Sequence, residues 1–249
     1  MGRKKRRQDT SDWEQADKWV ASKTNAAASC VMLSGMPILP PATSADYEVE
    51  VRTEAEVQSL FADSESITML VGRNVLSSME CEEWIRWGEA TGFILERHAQ
   101  TAHVAHRDNW RLAIQSEAIA CAIFDRLRPW VPDRVGTRRA CGCNPNIRLY
   151  KYLPGQRFGP HVDQSCQLSD GSVTEFTVLL YLGDGKVAGG ETIFYDPQVS
   201  SSSSNVLFAF SPLAGAVLVH AHGERCLTHE GASVTGGVKY LLRTDIAYR

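Results

Sequence analysis

Tyr152-Leu-Pro-Gly155-Gln-Arg-Phe158-Gly-Pro-His161-Val-Asp163 is the stretch on which the fold and the chemistry turn. After the Pro-Gly turn, residues 157–162 read as a short strand. Residues i and i+2 of a strand point to the same side, so the His161 imidazole and the Asp163 carboxylate converge on one point. His229, placed after a later strand and followed by Glu230-Gly231, is the candidate third ligand. Two histidines and one carboxylate leave three coordination positions open, the donor set of non-haem Fe(II) oxygenases, whereas a closed structural zinc site takes four protein ligands. The remaining histidines read as structural. His98, His103 and His106 lie outside the strand region, and His220 and His222 alternate along a strand end, where they can touch whatever the interior holds.

Outward from that stretch, short strands separated by Gly, Pro and Ser turns are expected at 147–152, 157–162, 176–182, 191–195, 205–210, 216–220 and 240–247. Upstream, the spacing predicts a first strand at 67–71. A helix capped by Ser78 follows, with Trp84, Ile85 and Trp87 inside and Gly88 or Gly92 at its end, and a second helix runs over 116–128 before Pro129. Two helices followed by closely spaced strands predict an α+β, mainly β chain. The expected fold is a double-stranded β-helix, a jelly-roll or cupin-like barrel with supporting N-terminal helices. Residues 1–64 read as a basic, weakly ordered lead-in and 65–249 as the folded domain, with its core motifs in 147–249.

The chain has 249 residues, 43% hydrophobic, and a formal net charge of −3, which excludes collagen-like, coiled-coil and mostly disordered classes. No run of about 18 apolar residues is present, and no secretory signal is read at the N-terminus, so no membrane partner is expected. Seven scattered cysteines without a C-x-x-C fit a reduced compartment, with Cys141-Gly-Cys143 read as loop chemistry and not as a zinc site. Arg3-Lys-Lys-Arg-Arg7 is a run of five cations, which leaves about −8 for the rest of the chain. The run reads as a nuclear-import signal, a nucleic-acid arm or a solvated tail. The expected localisation is cytoplasmic or nuclear, and nucleic acid is a partner only through this tail. An acidic body suits a neutral or basic acceptor.

Beyond the opening stretch stand Thr177-Val-Leu-Leu-Tyr181-Leu182, Gly189-Gly190-Glu191-Thr192-x-Phe194, Pro212-x-x-Gly215 and His229-x-Gly231-x-x-Val234-x-x-Gly237-x-Lys239. Together, in order and spacing, these resemble the catalytic domain of prolyl 4-hydroxylase-type 2-oxoglutarate and Fe(II)-dependent dioxygenases. The resemblance covers roughly residue 147 to the C-terminus and extends more loosely back to about Ser66. It implies that His161, Asp163 and His229 hold Fe(II) and that 2-oxoglutarate chelates the metal, leaving room for O2. Hydroxylation of a C–H bond would then accompany release of succinate and CO2, with ascorbate as a helper. It also implies a cation for the far carboxylate of 2-oxoglutarate. Lys239 holds that position, Tyr181 is the hydroxyl partner, Tyr152 lines the pocket, and Arg243, of the same strand parity as Lys239, is the alternative anchor. Related halogenases lack the carboxylate ligand, so Asp163 points to hydroxylation.

The acceptor is a peptide, protein or small molecule, with a prolyl peptide first by resemblance alone. Loops within 98–109, 144–146, 164–173 and 184–188 are the candidates for selecting it. A nucleic-acid or protein demethylase of the same superfamily and a catalytically silent ligand- or partner-binding barrel are the alternatives.

Overall fold

The computed structural model describes residues 48–50, 69–183, 185–197 and 205–249. Its central strand, Val173–Leu182, is buried on both faces. Thr177, Leu179 and Tyr181 point into the interior, while Val178, Leu180 and Leu182 point to the opposite face. The strands, in chain order, are β1 (Glu48–Glu50), β2 (Met69–Arg73), β3 (Ile94–His98), β4 (Arg107–Gln115), β5 (Arg134–Val135), β6 (Arg138–Cys143), β7 (Asn146–Tyr152), β8 (Phe158–His161), β9 (Val173–Leu182), β10 (Ala188–Gly189), β11 (Thr192–Tyr195), β12 (Val206–Phe210), β13 (Val217–Ala221), β14 (His229–Gly231), β15 (Val234–Gly236) and β16 (Lys239–Tyr248). The order β1-β2-β13-β9-β16-β7-β4-β8-β14-β11-β12, antiparallel throughout, curls so that β8 and β14 face β9 and β16 across a jelly-roll interior.

Two helices sit on the outer face of the larger half. α1 (Ser78–Thr91) is closed by a capping box in which Ser77, one residue before the expected cap, accepts from the Glu80 amide while the Glu80 carboxylate accepts from the Ser77 amide. α2 (Glu117–Leu127) starts at Ser116 as expected. Its buried Arg126 reaches Val75 O (2.9 Å) and Glu80 Oε1 (2.6 Å), tying the helices together. α1 packs so closely on β7 that a Cβ on Gly88 would lie 2.5 Å from Leu149 Cδ2. No described helix is long and apolar enough to cross a membrane.

Several expectations change here. The strand expected at 67–71 is β2, described from Met69, and β1 at Glu48–Glu50 pairs with it from inside the stretch read as lead-in. The basic run and most of that lead-in lie outside the described residues. β3 and β4 were not anticipated, so His98 is a strand residue and the 98–109 loop shrinks to a hairpin connection. Their period was hidden because the interior positions Glu96, Arg107, Asn109 and Arg111 are polar, while Trp110, Leu112 and Ile114 alternate on the other face. Cys141-Gly-Cys143 is no loop: it forms β6, paired with β16, and both thiols are free.

Candidate active site

β8 and β14 pair with His161 opposite His229, which brings the two rings to 4.3 Å between centroids. Each ring is oriented from behind by a backbone carbonyl: His161 Nδ1–H donates to Gly159 O and His229 Nδ1–H to Leu227 O, both at 2.9 Å. Nε2 of each therefore carries a lone pair, aimed at the Asp163 carboxylate at 3.7 Å from His161 and 3.8 Å from His229. Burial, reinforced by the neighbouring His229, pushes His161 down to about 3, and burial also lowers His229, so both rings are neutral donors at neutral pH.

Asp163 is held in one orientation. Its Oδ2 accepts from Thr177 Oγ1 at 2.7 Å and pairs with Arg243 Nη2 at 3.1 Å. Having given its only proton to Asp163, the Thr177 hydroxyl accepts from His222 Nε2 (2.7 Å) and Arg243 Nη2 (3.2 Å). Burial alone would raise the Asp163 carboxyl, yet the Arg243 guanidinium beside it holds it well below the carboxylate range. Arg243 is also 3.4 Å from Asp245, which binds Arg148 at 2.9 Å, so Arg148 pairs behind the site.

Lys239 opens β16 directly across from Tyr152 of β7. It is 3% exposed, donates to Gly190 O at 2.7 Å and lies over the rings of Tyr152 and Tyr181. Among the described residues no carboxylate pairs with it, and burial pushes its ammonium down to about 8. Gly231 keeps the space beside it open: a Cβ there would sit 3.9 Å from Lys239 Nζ and 3.7 Å from Phe158 Cβ.

His161, Asp163, His229, Lys239, Tyr152 and Arg243 line one pocket. Tyr181 stands behind it, its hydroxyl 2.6 Å from Thr192 Oγ1, and Thr192 is the residue that faces in. His220, read as structural, also lines the pocket. It pairs in register with Thr177, is 2% exposed, and its Nε2 has no hydrogen-bond partner while lying 3.7 Å from Asp163 Oδ2. Alternation along the strand end allowed His220 to reach the interior, and the cross-strand register with Thr177 is what sets it beside Asp163.

The donor set fits a divalent metal of the iron type. It offers two imidazole nitrogens with second nitrogens already committed, one charge-fixed carboxylate, and an orphaned nitrogen beside them. A second grouping, His220, Cys226 and His229, fits less well. It would need His229 Nδ1, which is bonded to Leu227 O, and a thiol that burial pushes up to about 12.

No protein-family model matches the chain, and no curated protein matches it in sequence. Solved structures do match in fold. The viral collagen prolyl hydroxylase of Paramecium bursaria Chlorella virus-1, in its 2-oxoglutarate complex, is 18% identical with a TM-score of 0.50, over 72% of this chain and 96% of that one. A Trichoplax adhaerens prolyl hydroxylase bound to a peptide fragment of the hypoxia-inducible factor oxygen degradation domain is 17% identical with a TM-score of 0.52, over 72% and 83%. The fold expected from the strand pattern is the fold these enzymes share.

Proposed function

We propose that the chain is an Fe(II)- and 2-oxoglutarate-dependent dioxygenase that hydroxylates a C–H bond. The acceptor C–H, O2 and 2-oxoglutarate would be converted to C–OH, succinate and CO2. The observation that carries the reading is the convergence of His161 Nε2, His229 Nε2 and Asp163 in a pocket whose far end holds a buried ammonium with no carboxylate in ion-pair contact among the described residues. His161, Asp163 and His229 would hold the metal. When bound, the metal and co-substrate supply the oxidising chemistry, and ascorbate is the expected reductant for stalled enzyme.

What the protein contributes is positioning and exclusion of water. Gly159 O and Leu227 O fix the tautomers of the two rings, and Thr177 with Arg243 fixes the carboxylate. Lys239 and Arg243 share one face of β16, four residues and therefore about 13 Å apart along the strand. Arg243 is engaged by Asp163 and Asp245 at the metal end. Lys239, at the other end, is the cation for the distal carboxylate of 2-oxoglutarate, with Tyr152 and Thr192 beside it. The apolar cluster of Leu179, Phe194, Leu218 and Leu241 closes the interior against solvent. Asp163 occupies the place that halide would need, which favours hydroxylation. The peptide held by the Trichoplax neighbour makes a prolyl or other peptide acceptor the first class to try.

The test is succinate formation by protein loaded anaerobically with Fe(II) and then exposed to O2 and 2-oxoglutarate, with metal content measured in parallel. His161→Ala and Asp163→Ala should lose both bound iron and succinate. Iron-dependent turnover that survives either change overturns the assignment.

A further inference from the structure

The pocket wall continues past the site just described, onto strands the sequence did not announce. Across β7, β4 and β3 the register pairs Tyr150 with Arg111, Ile94 with Arg111, Glu96 with Asn109 and His98 with Arg107. Paired residues share a face, and Tyr150 lines the pocket. The alternate face, with Leu112 opposite Leu149, is turned to α1, where Gly88 meets Leu149. Arg107, Asn109, Arg111 and Glu96 therefore extend the interior wall of the barrel outward from the metal ligands. Arg107 also pairs with Phe158 of β8, and its guanidinium carbon lies 4.1 Å from the centroid of that ring. Phe158 in turn stacks on His161 at 3.7 Å. Arg107 thus stands one aromatic layer from a metal ligand.

Charge on this wall does not balance. Arg111 Nη1 is 3.0 Å and Arg107 Nη1 3.7 Å from the same carboxylate, Glu96. Two guanidinium groups share one counter-ion, and the Arg107, Arg111 and Glu96 side chains keep 23%, 15% and 20% exposure. Asp108, the nearest other acid on β4, has opposite strand parity and is engaged by Arg97 and Gln156. Arg148 and Arg243, by contrast, are matched by Asp245 and Asp163. Among the described residues, two positive charges on this face lack an ion-pair partner of their own. One is Lys239 at the closed end, and the other is divided between Arg107 and Arg111 at the open end. The Tyr150 phenol registers the second: burial would raise it, yet Arg148, Arg107, Arg111 and Arg243 draw it below its ordinary value.

We propose that the acceptor carries a carboxylate, bound by Arg107 with Arg111 behind it, so that the site takes two anions: 2-oxoglutarate at Lys239 and an acidic acceptor at the β3–β4 wall. This rests on the dioxygenase reading and names its substrate class. It reverses what the acidic average of the body implied, because the charges that face the pocket are not those that dominate the surface.

The test uses the full chain loaded with Fe(II) and 2-oxoglutarate and two sets of matched acceptors. One set is proline-containing peptides flanked by Asp or Glu, by Asn or Gln, or by Lys. The other is small carboxylic acids paired with their amides. The two sets separate an acidic peptide from a free acid. Carboxylate members should stimulate succinate release about tenfold more than their amides, the equivalent of one charge-assisted hydrogen bond. Arg107→Gln should raise the KM of the best acidic acceptor by about tenfold with a smaller change in kcat, and Arg107→Lys should restore part of it. Equal stimulation by acids and amides, stimulation only by neutral or basic members, or none by any, overturns the proposal. Should Arg107→Gln not fold, the matched pairs on the unaltered protein still decide. Failure to bind iron and 2-oxoglutarate at all would instead sink the dioxygenase reading, and those two bindings are measured first by metal analysis and calorimetry.

Discussion

Lys239→Met separates the cost of a buried cation from its use. Lys239 is 3% exposed and titrates near 8, against about 10.4 in an unfolded chain. Its folded value lies below its unfolded value, so between those two pH values the unfolded chain holds more protons. Stability of the protein without co-substrate must therefore rise with pH through that window, and below it the penalty is complete. At about 1.36 kcal/mol per pH unit, a displacement of roughly two and a half units costs about 3 kcal/mol at neutral pH. Methionine keeps the length and removes the charge. Less the bond to Gly190 O, the variant should gain about 2 kcal/mol, which is roughly 4–8 °C in Tm for a chain of this size. Affinity for 2-oxoglutarate moves the other way, because losing one partner of a buried charge pair costs about 2–5 kcal/mol, a Kd weakened about 30-fold or more. In the unaltered protein the same Kd should weaken as pH rises above about 8 and the ammonium is lost. Melting curves over a pH series and calorimetric titration of 2-oxoglutarate read the two effects. A variant no more stable than its parent, or one that binds 2-oxoglutarate equally well, refutes the reasoning.

Arg243→Met should weaken Fe(II) binding by about 10–100-fold, since it frees Asp163, while changing the 2-oxoglutarate Kd less than Lys239→Met does; the opposite order in paired titrations would make Arg243 the anchor. Gly88→Ala should lower stability by about 1–3 kcal/mol, because its Cβ would lie 2.5 Å from Leu149 Cδ2, with iron and 2-oxoglutarate binding unchanged in the folded fraction. Ser77→Ala removes half of the capping box and should cost about 1 kcal/mol by denaturant titration, whereas Ser78→Ala should cost little.

The helix starts were legible to within a residue, and of the two glycines expected to end α1 it is Gly92, not the buried Gly88, that does so. Capping is local chemistry: Ser77 and Glu80 are three apart, and Gly92 supplies the positive φ that closes α1. β9 was legible because a strand buried on both faces reads as a nearly continuous apolar run, as over residues 176–182. β3 and β4 were not, because their interior residues face a polar cavity and so break the alternation that announces a strand. The opening stretch, for its part, named two of the three converging donors, since i and i+2 of one strand need no tertiary information.

What the sequence determined by itself was therefore the local part: helix caps, buried strands, and the His161–Asp163 pair, with His229 and Lys239 picked out by the resemblance of their spacing. Only the tertiary structure decided which distant groups meet. It put His220 against Asp163 through the register of β13 on β9, and moved the Tyr181 hydroxyl onto Thr192. It also spent Arg243 on Asp163 and Asp245 and set Arg107 one ring from His161. The physical reason is that charge compensation acts over a few ångströms in space whatever the distance along the chain. An overall charge of −3 cannot show that one ammonium lines the pocket with no carboxylate in ion-pair contact among the described residues, or that two guanidinium groups on the adjoining strands share one carboxylate.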